Sequence, residues 1–154
     1  MDEEETLKKL KARAARFCAF RERATSEVEK KLVDWGASAN QSSQVLELLK
    51  AEKFVDDLRF CKAFTHDKFR IRRWGKIKIR YHLQHLNMSD ENIEYGIASI
   101  DEEEYVALAR HLLQQKLKTM DAALPEIQKQ QKLRNYMMQK GYESDLIRRL
   151  SKVS

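Results

Sequence analysis

The sequence is poor in residues that turn or break a chain, with four glycines and one proline in 154 residues. A sandwich or barrel of many short strands needs such residues at frequent intervals, so their scarcity counts against those folds. Catalytic signatures are missing as well. Gly36, Gly75, Gly96 and Gly141 stand too far apart to form a phosphate-cradling loop, and neither a nucleophile elbow nor a His-Glu-x-x-His helix occurs. Enzymatic activity is therefore not expected. His82 and His85 are three residues apart and can share a helix face, but no Cys or third His at a suitable spacing completes a ligand set, so no metal and no cofactor are expected.

Cysteine is scarce too. Cys18 and Cys61 each follow a phenylalanine inside an apolar helical pattern, which reads as buried free thiols rather than one disulfide. Nowhere do 18 apolar residues run together, and the chain opens on Asp2, Glu3, Glu4 and Glu5 rather than on a basic patch and an apolar segment. The expectation is a soluble protein of the reducing cytoplasm, with no membrane partner.

What remains is a helical and strongly charged chain. Hydrophobic residues make up 42% and charged residues 35%, a balance typical of solvated all-α proteins. The net charge of +6 favours an anionic partner, and it is unevenly distributed. Between Leu7 and Ala24 the cations Lys8, Lys9, Lys11, Arg13, Arg16, Arg21 and Arg23 face Glu22 alone. From Asp90 to Glu104 the sign reverses, with seven carboxylates and no Lys or Arg. Four of these, Asp101 to Glu104, are placed to meet the positive end of a helix dipole; beyond that they can present an acidic face or deter unproductive DNA contact.

Leu7, Leu10, Ala14, Phe17 and Cys18 recur at helical spacing and predict an amphipathic N-terminal helix with Lys8, Lys9, Lys11, Arg13 and Arg16 as a secondary basic face. "ATSEVEKKLVDWG" then predicts a helix capped by Thr25 or Ser26 and stopped at Gly36. "VDDLRFCKAF" predicts another, opened by Asp56 or Asp57. A repeat emerges from the stops. "EVEKKLVDWG", "IKIRYHLQHLN" and "KLRNYMMQKG" end at Gly36, Asn87 and Gly141, 51 and 54 residues apart, and each is followed by a further short helix. The division this suggests is a basic helix at 1–24, three-helix units at 25–73 and 74–120, and a curtailed unit at 121–154. In "KIKIRYHL" the strict alternation of Ile77, Ile79, Tyr81 and Leu83 with charged residues has a strand's period, but Ile79, Leu83 and Leu86 also form a helical stripe. A lone strand has nothing to pair with, so helix is the reading adopted. Pro125 fits the first turn of the next helix.

The stretch "KFRIRRWGKIKIRYHL" carries seven cations and no carboxylate: Lys68, Arg70, Arg72, Arg73, Lys76, Lys78 and Arg80. Such density repels itself unless an anion relieves it, and phosphates do so by displacing condensed counterions. These seven are the candidate binding residues. If a helix runs to Trp74 and the next begins at Lys76, Gly75 lets the chain turn and the charges converge. Trp74 and Tyr81 offer either core packing or surfaces for base stacking.

The combination of "SEVEKKLVDWG" (26–36), "VDDLRFCKAF" (55–64) and "RRWGKIKIRYHLQHLNM" (72–88) resembles the RecX family of regulators of bacterial recombination, with Cys61 in place of the usual Ala and Asn87 where Gly is common. The resemblance extends over essentially the whole chain and is strongest over 55–83. It implies an elongated array of tandem three-helix units and a regulator that modulates, mainly by inhibition, the RecA recombinase by lying in the groove of the RecA–DNA filament, with effects on DNA repair, recombination and the SOS response. RecA filaments and single- and double-stranded DNA are the implied partners, and a monomer is the expected isolated state. The alternative is an autonomous DNA-binding protein indifferent to sequence. The family supplies no agreed functional residues, so the seven cations rest on charge density alone.

Overall fold

The computed structural model describes residues 2–151. Among these, all regular structure is helical, in the order α1 (Glu3–Phe20), α2 (Thr25–Asp34), α3 (Ala39–Ala51), α4 (Asp57–Arg70), α5 (Lys76–His85), α6 (Asp90–Ala98), α7 (Glu102–Lys118), α8 (Glu126–Lys140) and α9 (Ser144–Ser151). The alternating segment is α5, and its Ile79 and Leu83 are fully buried on one helical face. The three expected stops are left-handed: φ is +88° at Gly36, +60° at Asn87 and +96° at Gly141. Pro125 sits at the N-cap of α8, where the missing N–H costs nothing.

Caps differ from expectation in one informative place. The helix α2 begins at Thr25, after Ala24, whose N–H is satisfied by the Glu27 carboxylate at 2.9 Å. The hydroxyls of Thr25 and Ser26 serve contacts distant in sequence instead. Thr25 donates both its N–H and its Oγ1 hydrogen to Asp57 Oδ1 at 2.9 Å, and Ser26 Oγ donates to the Leu86 carbonyl at 2.7 Å. The Asp pair accordingly divides its work: Asp56 caps α4 through the Arg59 N–H, and Asp57 anchors the start of α2.

The tightest packing joins α1 with α2 and α3, α4 with α5 and α6, and α7 with α8 and α9. This frame starts one helix earlier than the division at residues 25, 74 and 121, because the punctuated helices α2, α5 and α8 are the middle members of their groups. Two apolar cores result. Ala14, Val28, Leu32, Val45, Leu49 and Val55 close the first group, while one continuous core from Phe60 to Ile147, joined by Ala24 from the first group, runs through the other two. Total exposed surface is 9942 Å², about a fifth above the roughly 8,100 Å² typical of a compact chain of this mass, as an array of small units requires.

The groups are joined end to end through their middle helices. The N–H of Gly75 donates to the Lys140 carbonyl at 2.7 Å and that of Ile77 to the Gly141 carbonyl at 3.0 Å, so the N-terminus of α5 takes up carbonyls from the C-terminus of α8. Ser26 meeting Leu86 repeats the arrangement between α2 and α5. Each joint satisfies groups that a helix end would otherwise leave to water, and it sets opposite dipole ends together. A lateral contact accompanies each: Asp57 of α4 holds Thr25, and the Tyr105 hydroxyl of α7 accepts the Lys76 N–H at 2.9 Å while bonding Glu143.

Candidate anion-binding surface

The loop between α4 and α5 departs from expectation. The helix α4 ends at Arg70, not Trp74, and the left-handed residue of the connection is Arg73 at φ +60°. Gly75 has an ordinary extended backbone; it is required for another reason, since a Cβ there would lie 2.5 Å from the Tyr142 nitrogen and inside the Gly141 carbonyl. The loop is pinned from the third group by the Tyr142 hydroxyl, which donates to the Arg73 carbonyl at 3.1 Å.

Helical geometry splits the basic residues that a strand would have aligned. Lys76 and Arg80 are one turn apart on one edge of α5, and Lys78 is about 200° away from Lys76. On the first edge the acidic run returns: Lys76 Nζ pairs with Glu102 at 2.7 Å, and Arg80 makes hydrogen bonds of 2.8 and 3.2 Å to Glu94. That hydrogen bonding raises the Arg80 pKa and lowers that of Glu94. Arg70 pairs with Glu104 at 3.6 Å. The Glu partners are well exposed, so each pair contributes only about 0–1 kcal/mol to stability; its main effect is on what else those cations can hold.

The other edge is a cationic cluster around Trp74. Lys68 Nζ and Lys78 Nζ lie 5.4 and 4.8 Å from the Trp74 ring centroid, and the ring packs at 4.5 Å against His82. Lys140 of α8 joins them, 3.5 Å from the Arg72 carbonyl. Its pKa is lowered first by burial and then by Arg73 and Lys78. Arg72 and Arg73 are exposed and, among the described residues, have no carboxylate partner. Of the seven candidates, then, Lys68, Arg72, Arg73 and Lys78 have no carboxylate partner among the described residues, and Arg70, Lys76 and Arg80 are internally paired. Lys140 was missed because nothing near it in sequence marks it; the third group carries it to a loop 68 residues away. Trp74 is half-buried against the core, and Tyr81 is exposed beside His85. A groove of about 800 Å³ opens alongside, lined by Arg21, Glu22 and Glu27 together with Phe64, Asp67, Lys68, Trp74 and His82.

The secondary basic face belongs to the first group. Lys8, Lys9, Arg13 and Arg16 are exposed, Lys11 is paired with Glu52 at 2.6 Å, and the Arg13 guanidinium lies 4.2 Å from the Trp35 ring centroid. Both cysteines are free; Cys61 is buried, with its pKa raised to about 11 chiefly by desolvation, and Cys18 is half-buried. No group of His, Cys, Asp or Glu able to hold a metal occurs among the described residues, and none of their helices is long and apolar enough to cross a membrane.

His82 makes the cluster sensitive to pH. Burial first, then Lys78, His85 and Lys68, hold its pKa below the ordinary 6.5. The unfolded chain therefore binds more protons between that depressed value and 6.5, so the contribution to stability is present above 6.5 and is lost as pH falls through the window. Thermal unfolding of His82→Gln should lose less stability than the wild type between about pH 7 and 5. An identical pH profile in the two proteins would exclude His82 as the source.

Family comparisons agree with this architecture. Residues 56–96 match the model described as RecX, second three-helix domain, and residues 102–150 match RecX, third three-helix domain. The matched segments coincide with α4–α6 and α7–α9. A "Regulatory protein RecX" of Geobacillus kaustophilus is 29% identical over 143 residues, 92% of this chain, and that of Prosthecochloris aestuarii is 28% identical over 149 residues. The chain spans only 52% of the Geobacillus protein but 94% of the Prosthecochloris one. Among solved structures, RecX from Lactobacillus salivarius superposes with a TM-score of 0.89 at 17% identity over 97% of this chain and 96% of its own, a likeness of fold. With two consecutive domain models of one family matched on the observed helix groups, the chain belongs to the RecX family.

Proposed function

We propose that this chain regulates recombination by occupying the groove of the RecA–DNA filament, where it inhibits filament extension, ATP hydrolysis and strand exchange without making or breaking a covalent bond. The observation that carries this reading is the cluster of Lys68, Arg72, Arg73, Lys78 and Lys140, drawn from two helix groups and lacking a carboxylate partner among the described residues. A phosphate-lined surface relieves the repulsion within such a cluster, and a helical array offers contacts along a polymer rather than at one point. The name shared by the relatives, regulatory protein, agrees with action by binding.

The expected result is that substoichiometric protein slows DNA-dependent ATP hydrolysis by the RecA of the same organism. Unchanged hydrolysis at several-fold molar excess would reject the proposal. The competing reading, a DNA-binding protein that acts alone, predicts naked-DNA affinity as high as filament affinity. The internal pairing of Arg70, Lys76 and Arg80 favours the filament, since it removes three of the seven cations from the simplest phosphate-binding surface.

A further inference from the structure

We infer that Glu94, Glu102 and Glu104 are specificity-determining residues that suppress binding to bare DNA by acting as internal counter-anions for Arg80, Lys76 and Arg70. The inference rests on the reading of the Trp74 cluster as a phosphate-binding surface and deepens it. Three observations support it. Each carboxylate comes from α6 or α7 and reaches a cation of the basic stretch, at 2.8 Å for Glu94, 2.7 Å for Glu102 and 3.6 Å for Glu104. The Glu partners are 60%, 67% and 46% exposed, so they face the solvent from which a nucleic acid would approach. Neither Lys76 nor Arg80 needs a carboxylate partner for its helix to form: α5 is anchored by the N–H groups of Gly75, Lys76 and Ile77, which donate to the Lys140 carbonyl, the Tyr105 hydroxyl and the Gly141 carbonyl.

The physical consequence is a competition. A DNA phosphate approaching Lys76 or Arg80 must displace a carboxylate already in place and must then tolerate it nearby as a like charge. The Trp74 edge, with no such acids paired to it, remains open. Bare DNA gains only the smaller open cluster, and a partner that also offers protein surface loses proportionately less from the masking. The sign reversal between 68–80 and 90–104 is then one device, a basic strip and the acids that fold back onto it.

The test is fluorescence anisotropy with a labelled duplex, comparing wild type with Glu94→Gln/Glu102→Gln/Glu104→Gln across a salt series. Each unmasked cation that gains a phosphate should steepen the log–log salt slope by about 0.9, a total increase of roughly 2.7 over wild type for the triple variant, with at least a tenfold rise in affinity near 0.1 M salt. The ratio of filament to bare-duplex affinity should fall. An unchanged slope and affinity in a triple variant with wild-type circular dichroism overturns the inference. Should the triple variant misfold, the three single variants supply the same readout in steps of about 0.9. Arg72→Glu/Arg73→Glu, measured in parallel, separates the two levels: wild-type binding by that variant refutes the cluster itself, whereas weakened binding there with no change in the glutamine variant refutes only the masking.

Discussion

Gly141→Ala is expected to destabilise the protein by about 3–5 kcal/mol and Gly75→Ala by about 2–4 kcal/mol, read as lowered urea midpoints, while Gly36→Ala costs only about 1–2 kcal/mol. The ranking follows from what each Cβ meets. At Gly36 the penalty is conformational alone, because φ is +88° but no atom lies within 4 Å of an added Cβ. Gly75 has the reverse problem: its backbone suits any residue, yet a Cβ would press on the backbone of Gly141 and Tyr142, which cannot rotate aside as a side chain can. Gly141 has both, with φ at +96° and a Cβ placed 2.7 Å from the Lys78 nitrogen. Relief would require separating α5 from α8, and with it the bonds from Gly75 and Ile77 to the Lys140 and Gly141 carbonyls. Because one core runs through both groups, the loss should appear as a single cooperative transition. If Gly141→Ala unfolds at the same midpoint as Gly36→Ala, the close joint is not a determinant of stability.

These glycines also show what was legible before the fold was known. Stops at Gly36, Asn87 and Gly141 are local events, set by one residue's tolerance of positive φ, and all three are found. Helices follow from periodicity, so even the ambiguous "KIKIRYHL" resolves by its buried Ile79 and Leu83. Gly75 reads in the sequence as the residue that lets the chain turn, yet its backbone is ordinary and Arg73 carries the positive φ. The purpose of Gly75 lies 66 residues away at Gly141, and no local pattern encodes a close approach of two backbones. The same limit applies to Thr25 and Ser26, whose capping chemistry is spent on Asp57 and Leu86. Charge density identified the basic stretch but not its partition, because the helical period sends Lys76 and Arg80 to one edge and Lys78 to another, and the acids that neutralise the first edge come from later helices.

Arg72→Glu/Arg73→Glu is expected to weaken binding to bare duplex DNA by on the order of 100-fold near 0.1 M salt, and to make the log–log salt slope shallower by about 1.8, two phosphate contacts at 0.9 each. These two are chosen because they bear the cluster's charge and little of the fold. Both side chains are exposed and without carboxylate partners among the described residues, and the loop is held by its carbonyls, through Lys140 to Arg72 and Tyr142 to Arg73. Reversal should therefore leave the unfolding midpoint within about 0.5 kcal/mol of wild type, as for surface substitutions generally. It also places two carboxylates beside Lys78 and Lys140, which can pair with them, so the remaining cations are masked as Lys76 and Arg80 already are. Binding to the RecA–DNA filament separates two modes of recognition. Phosphate-led binding predicts a parallel loss on filament and duplex, with inhibition of ATP hydrolysis lost at matched concentration. Protein-led binding predicts that duplex affinity falls while filament affinity and inhibition persist, and the groove beside Trp74 then becomes the surface to alter next. Wild-type affinity for both substrates would remove the Trp74 cluster from the mechanism and leave the tandem helical fold as the only part of the account still standing.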